Sequence, residues 1–181
     1  MVLRSLLLSV WLCLGLVQLA PLGAAPEPPP LGWEQVRRLE RSLQLLGVNV
    51  LHSNRCARGL EGLYDHRITQ VLLCENTMPK QPESHWNTLA HESVHVMQIC
   101  RQALPLTRGL DQLQQKMLAA TAPQEKLHIL SAYPPEQRLY ELEARWVANT
   151  MDPDAVIRLL ERSCGPQRPA LLITPGGQVL S

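Results

Sequence analysis

The most distinctive chemical pattern in this chain is a pair of histidines with a glutamate between them. His91, Glu92 and His95 form the pattern HExxH within the run HESVH. On an α-helix, residues four apart lie one turn apart on the same side, so both imidazoles can bind one metal ion. The glutamate points about 100° away, where it can act as a base on a water at the metal. The pattern therefore predicts one zinc ion (Zn²⁺), bound by both histidines, with Glu92 as the catalytic residue.

The residues around the pattern predict a helix with one packing face and one face at a site. Ser84 is the predicted N-cap, and Pro105 marks the predicted end of the helix. The two histidines share their side of the helix with Ile99, and this side is predicted to form the floor of the site. The opposite side carries a stripe that is predicted to pack against the core. The residues of this stripe are Trp86, Leu89, Ala90, Ser93, Met97, Cys100 and Leu104.

A catalytic zinc ion needs a third protein ligand besides the two histidines. The extended pattern HExxHxxGxxH does not apply, because Gln98 and Arg101 occupy the positions of its glycine and third histidine. The third ligand is therefore expected on another helix. The best later helix, predicted for residues 135–151, carries Glu141 and Glu143.

These two glutamates lie about 200° apart on a helix, so only one of them can face the metal. Glu141 shares its side with Ala144 and Ala148, whose small side chains would let this helix approach the HExxH helix closely. Glu141 is therefore the preferred ligand and Glu143 is the alternative. The glutamate that is not a ligand is expected to be solvated.

The start of the chain predicts export. The chain has 181 residues, a net charge of +1 and 45% hydrophobic residues, which suits one globular domain and excludes a basic nucleic-acid-binding protein. Residues 1–25 have the charge, apolar run and small residues of a signal peptide, which would become a membrane anchor only if it stayed uncleaved. Residues 26–30 are predicted to be a proline-rich linker, 31–164 the folded domain and 165–181 a flexible tail.

The cysteines agree with export. Cys13 would leave with the signal peptide, and the other four cysteines are an even number, which predicts two disulfides and a secreted, periplasmic or otherwise extracytoplasmic protein. Three pairings are possible. The favoured one joins Cys56 to Cys74 across a local loop and Cys100 to Cys164, which would link the HExxH helix to the last helix.

The remaining patterns predict an α+β fold that is mostly α, with a short sheet just before the HExxH helix. His52, His66 and His85 carry no predicted role. Residues 121–134 are predicted to be a loose connection. The other predicted elements are a helix over 31–46, strands over 48–51 and 68–73, a helix over 109–120 and a last helix with Asp152 as its N-cap, running to Arg162.

A glutamate on a helix after HExxH, with the small Ala144 three positions later, resembles the gluzincin metallopeptidases. The order of Cys56, ITQVLLC, LAHESVHVMQICR, a glutamate-bearing helix and Cys164 resembles the mitochondrial inner-membrane metallopeptidase family that processes and helps assemble an ATP synthase subunit. That family usually has an acid where this chain has Gln98. The resemblance implies a small zincin-like fold, with the two histidines and a glutamate near position 141 as ligands and Glu92 as the catalytic residue.

The sequence thus predicts a secreted zinc metallopeptidase that hydrolyses peptide bonds in a peptide or protein substrate through a zinc-bound water activated by Glu92. His128, Tyr133 and Tyr140 are candidates for a further donor to the oxyanion. The strand ITQVLL is predicted to be the sheet edge on which the substrate pairs. The alternatives are a non-catalytic zincin-fold domain for extracytoplasmic binding or assembly, and a metal-dependent hydrolase of a non-peptide amide.

Overall fold

The structure, a computed structural model, describes residues 31–165 of the chain. The predicted signal peptide (1–25), the linker (26–30) and all of the predicted tail except Gly165 lie outside the described residues. The described part is mostly helical with a small three-stranded sheet, so the predicted α+β class is confirmed. Its elements are α1 (Trp33–Leu45), β1 (Asn49–Ser53), β2 (Gly62–Asp65), β3 (Gln70–Cys74), α2 (Pro82–Cys100), α3 (Asp111–Ala120), α4 (Pro123–Ala132), α5 (Arg138–Thr150) and α6 (Pro153–Cys164).

Helix α2 carries the HExxH residues and packs against α1, α5, α6, β2 and β3. Most of its predicted apolar stripe is buried in the main core, including Trp86, Leu89, Ala90 and Met97. The burial of this side leaves the opposite side, with the two histidines, free to face α5. The helix therefore packs against three other helices, which gives its functional residues a rigid support.

Both ends of α2 differ from the prediction. The helix begins at Pro82 with Gln81 as its N-cap, because a proline in the first turn lacks only an N–H that would have no helical partner. It ends at Cys100, since Gln102 and Ala103 adopt positive φ angles of 62° and 55° that turn the chain away. The predicted stripe therefore stops before Leu104, which lies beyond the helix.

The sheet has the order β1-β3-β2, with β3 parallel to β1 and antiparallel to β2. The run ITQVLL contains most of β3, which is the central strand, with Val71 and Leu73 fully buried. The prediction that this run is a free edge for substrate is therefore wrong. The edge strand next to α2 is β2, whose four residues GLYD are too few for a strand pattern in the sequence.

The other helices mostly lie where the sequence predicts them. The predicted connection over 121–134 is wrong in part, since it contains α4, which starts with Pro123 in its first turn. Helix α5 begins at Arg138, three residues later than predicted. The predicted cap of α6 is confirmed, because the Asp152 carboxylate accepts a hydrogen bond of 2.8 Å from the amide of Ala155.

Two disulfides join the described cysteines, and both favoured pairings are confirmed. Cys56 bonds to Cys74, which ties the loop after β1 to the end of β3. Cys100 bonds to Cys164, which ties the C-terminal end of α2 to that of α6 across 64 positions of sequence. Disulfides persist in oxidising compartments, so the pair suggests a non-cytoplasmic location. Among the helices that the structure describes, none is long and apolar enough to cross a membrane.

A group of histidines and glutamates joins the sheet to two helices. The Glu75 carboxylate lies 2.6 Å from Nδ1 of His52 and 3.0 Å from Nε2 of His85, a buried residue of α2. His52 also lies 3.1 Å from Glu40 of α1. Partial burial raises the pKa of Glu75, but the hydrogen bonds from the two histidines outweigh this effect and leave it below its usual value.

We expect Glu75→Gln to remove a pH-dependent part of the stability. Because the pKa of Glu75 is lower in the folded state, its contribution is complete above the unfolded pKa and is lost as the pH falls through the folded pKa. Partial exposure limits the contribution to about 1 kcal/mol at neutral pH. Urea unfolding from about pH 7 to pH 3 should show the wild type and Glu75→Gln converging on acidification. The exposed Glu161→Gln should show no such convergence, and a constant difference for Glu75→Gln would contradict the prediction.

Candidate metal centre

The structure brings His91, His95 and Glu141 together on the inner side of the α2–α5 contact. The Nε2 atoms of the two histidines lie 3.1 Å apart. The two oxygens of Glu141 lie 3.4 Å from Nε2 of His91 and 3.3 Å from Nε2 of His95. One donor atom from each residue lies within 4.8 Å of the other two. Three groups that commonly bind metals therefore point toward one another.

The packing of α5 on α2 explains why Glu141 completes this group. Ala144 and Ala148 are buried in the main core, and α5 packs closely along α2. Glu141 lies one and two turns before them on the same side and faces the two histidines. Glu143, the alternative ligand, lies outside the cluster.

The cluster has the chemistry of a metal site. Two imidazole nitrogens and one carboxylate form a ligand set that zinc uses in catalytic sites. Glu141 Oε2 is buried and has no hydrogen-bond partner among the described residues. A cation would satisfy this oxygen, so the residues present fit a metal ion.

Glu143 is buried rather than solvated, so that expectation is wrong. Its carboxylate is only 1% exposed and accepts hydrogen bonds from the amides of Leu106 and Thr107, at 2.9 and 2.8 Å, and from the Thr107 hydroxyl. It thereby holds the loop that follows α2. Gln98 Nε2 also donates to Glu143 over 3.1 Å and to the carbonyl of Tyr140.

Gln98 connects this buried carboxylate to one histidine of the cluster. With its amide nitrogen held by Glu143, the Gln98 oxygen lies 2.9 Å from Nδ1 of His95. Because this oxygen can only accept, Nδ1 of His95 donates to it, and Nε2 of His95 is the nitrogen that faces Glu141 and that a metal ion would use. Neither role was predicted from the sequence, where Gln98 stood out only for the residues it replaces: the glycine of the extended HExxH pattern and the acid of the resembling family.

Glu92 lies beside the cluster and is only 7% exposed. Burial raises the pKa of its carboxyl group, and the nearby His91 and His95 oppose this effect only in part. The backbone of Gly62 in β2 comes so close that a Cβ atom there would lie 3.2 Å from Cγ of Glu92 and 2.5 Å from Cγ2 of Thr88. Glycine at position 62 therefore makes room for the Glu92 side chain.

A cleft of about 570 Å³ opens onto the cluster and is lined by His91 and Glu92. Its wall is formed by the loop before β2, one side of α2, helix α4 and the later turns of α5. Ile99 is 40% exposed and does not line it, so its predicted place in the floor is wrong. The other lining residues are Gly59, Leu60, Glu61, Gly62, Asn87, Thr88, Glu125, His128, Tyr133, Arg145, Ala148 and Asn149.

Two of the three predicted oxyanion donors face this cleft. Tyr133 and His128 line it, and their rings meet edge to face with centroids 6.3 Å apart. Burial and the charge of Glu141 raise the pKa of Tyr133, while the charge of Arg145 opposes them. The Tyr140 hydroxyl instead donates to a backbone carbonyl of the turn after α2 and does not line the cleft.

The cluster carries strong opposing electrostatic effects. Burial raises the pKa of Glu141, but the two histidines beside its carboxylate outweigh this effect and hold the pKa well below its usual range. Burial lowers the pKa of His95, but Glu141 and Glu92 reverse this and leave it raised. The carboxylates therefore favour a positive charge at this place, which either a proton or a metal cation can supply.

These features define a small, disulfide-linked α+β domain with a His–His–Glu cluster that could bind a metal. Comparison with protein families finds a match over residues 54–165, well over half of the chain, to a family described as a domain of unknown function, DUF8637. The chain belongs to this family. No curated protein and no solved structure matches it.

Proposed function

We propose that this protein is a secreted or otherwise extracytoplasmic zinc-dependent peptidase. The observation that carries the proposal is the convergence of His91, His95 and Glu141 beside a buried glutamate and an open cleft. A structural zinc site is closed by four protein ligands, whereas a catalytic one has three and keeps a position open. The three-residue set next to a cleft supports the catalytic type.

The ligand residues would hold one zinc ion, which would lower the pKa of a bound water toward about 7 and polarise a substrate carbonyl. Glu92 accepts the proton of the attacking water and returns it to the leaving amine. Its raised pKa suits it to hold a proton between these steps. Tyr133, which lines the cleft, donates a hydrogen bond to the developing oxyanion.

The arrangement of the sheet gives this peptidase a place for its substrate. Strand β2 is an edge strand next to α2, and its first residue, Gly62, lines the cleft beside Glu92. An extended peptide can pair with such an edge through backbone hydrogen bonds. The peptide would then lie across the metal ligands. The resemblance to gluzincin metallopeptidases in HExxH and a later glutamate supports the same function.

Metal removal tests the proposal. The purified, disulfide-intact protein should contain about one zinc ion per chain and cleave members of a peptide library. A chelator such as 1,10-phenanthroline should abolish cleavage, and added zinc should restore it. Zinc without cleavage of any peptide would instead favour the non-catalytic binding or assembly domain. Absence of zinc binding would contradict both functions.

A further inference from the structure

Among the described residues, two buried side-chain atoms have no hydrogen-bond partner: Glu141 Oε2 and Arg145 Nε. Buried polar atoms in proteins nearly always have a partner, so each exception needs an explanation. The proposed metal ion would be the missing partner of the Glu141 oxygen. It cannot be the partner of the Arg145 nitrogen, because a cation repels the positively charged guanidinium group.

Arg145 lies on the same side of α5 as Glu141, one turn later, and lines the cleft with His91 and Glu92. Within the described part of the chain, no carboxylate lies within 4.0 Å of its guanidinium group. It is also the one arginine or lysine among the residues that line the cleft. A single cationic group thus faces the cleft without an internal partner.

The surrounding charges indicate what this group can bind. Arginine binds carboxylates through two parallel hydrogen bonds, to which Nε contributes. The other formally charged residues lining the cleft are Glu61, Glu92 and Glu125, which repel anions. Binding of a neutral peptide backbone needs no guanidinium group. Apart from the proposed metal ion, Arg145 is therefore the one group lining the cleft that would attract a negative group.

We propose that Arg145 binds a carboxylate of the peptide substrate and so determines specificity. This inference rests on the proposed peptidase function. Residues 141 and 145 are about 6 Å apart along the helix, and an extended peptide covers about 3.3–3.6 Å per residue. The recognised carboxylate therefore belongs within about two residues of the bond to be cleaved. It is either the C-terminal carboxylate of the substrate or the side chain of an Asp or Glu.

Binding and cleavage of three matched peptides test the inference. The first two have the same neutral sequence and end in a free carboxylate or in an amide. The third also ends in an amide but carries a Glu next to the cleavage position. Binding is measured by calorimetry in the zinc-loaded Glu92→Gln variant, so that hydrolysis does not interfere. At least one carboxylate peptide should bind about 10- to 100-fold more tightly than the neutral amide. The free-terminus and Glu peptides identify which carboxylate is recognised.

Adding Arg145→Gln in the same background should abolish this preference and leave binding of the neutral amide within about twofold. Arg145→Lys keeps the charge but not the paired hydrogen bonds, so it should retain only part of the preference. The matched control is Arg158→Gln, at an exposed position of α6. Zinc content and circular dichroism confirm that each variant is folded.

Two outcomes overturn the inference: equal binding of all three peptides, or a carboxylate preference that survives in Arg145→Gln. The first is measured with Arg145 in place and does not depend on the folding of any Arg145 variant. Failure of the proposed function looks different. In that case, Arg145-dependent binding of carboxylate peptides would persist while the wild type cleaved none of them.

Discussion

Replacing Glu92 with glutamine should lower the rate of peptide hydrolysis about 1,000-fold while zinc stays bound. General acid–base catalysis contributes about 10²- to 10⁴-fold, and glutamine cannot accept the proton of the attacking water. A 1,000-fold loss corresponds to about 4 kcal/mol of transition-state stabilisation. Glutamine has nearly the size of glutamate, so it should fit the buried space beside Gly62. Metal content and steady-state kcat, measured on the same sample, check both parts of the prediction.

The neutral variant should also be no less stable than the wild type, because burial disfavours the charged form of Glu92. A suitable control is Glu83→Gln in the first turn of the same helix, where the carboxylate is exposed. This control should cleave peptides at nearly the wild-type rate. If Glu92→Gln also did so, another group would have to be the base.

Glu141→Ala should lower the affinity for zinc by a factor on the order of 100 or more, with loss of activity at limiting zinc. Even residues that only orient a ligand contribute about 10- to 100-fold to metal affinity, and a direct ligand contributes at least as much. The change removes the carboxylate that lies 3.3–3.4 Å from both histidine nitrogens. Competition with a fluorescent zinc chelator measures the affinity directly.

The matched control is Glu136→Ala, because this glutamate is exposed and precedes the same helix. It should bind zinc as the wild type does. Glu143→Ala is a poor control, since it would leave the buried donors of Gln98 and Thr107 without an acceptor and reduce stability. Unchanged zinc affinity in Glu141→Ala would mean that the third ligand is another residue.

Patterns that depend on neighbouring residues along the chain were predicted well. The helical positions of His91, Glu92 and His95 follow from spacing alone, as does the buried stripe on the other side of α2. The disulfide pairing also followed from simple reasoning about loops, and Asp152 was read correctly as a helix cap. The ends of the helices were predicted less accurately, because the residue types around Gln102 do not indicate that the backbone turns there.

Charged and polar residues were predicted less well, because their surroundings come from distant parts of the chain. Glu143 looked like a surface acid, yet the loop after α2 folds over it and provides three of its hydrogen bonds. Nothing in the sequence distinguishes Arg145 from other helix arginines, and only the packing of α4 and α5 around the cleft shows that its Nε has no partner among the described residues. The short strand β2 forms because β3 offers it a free side, not because of its own pattern.

The sequence by itself determined that this protein has a helix with two histidines and a glutamate in metal-binding spacing, two disulfides and a mostly helical α+β domain. These properties depend on helical periodicity, residue type and local loops, which a chain carries before it folds. The tertiary structure decided that Glu141 rather than Glu143 faces the histidines, that β2 is the edge beside Glu92, and that Arg145 opens onto the cleft. These depend on the angle and rotation at which α5 and the sheet pack against α2. Periodicity gives the side of a helix but not the partner that covers it.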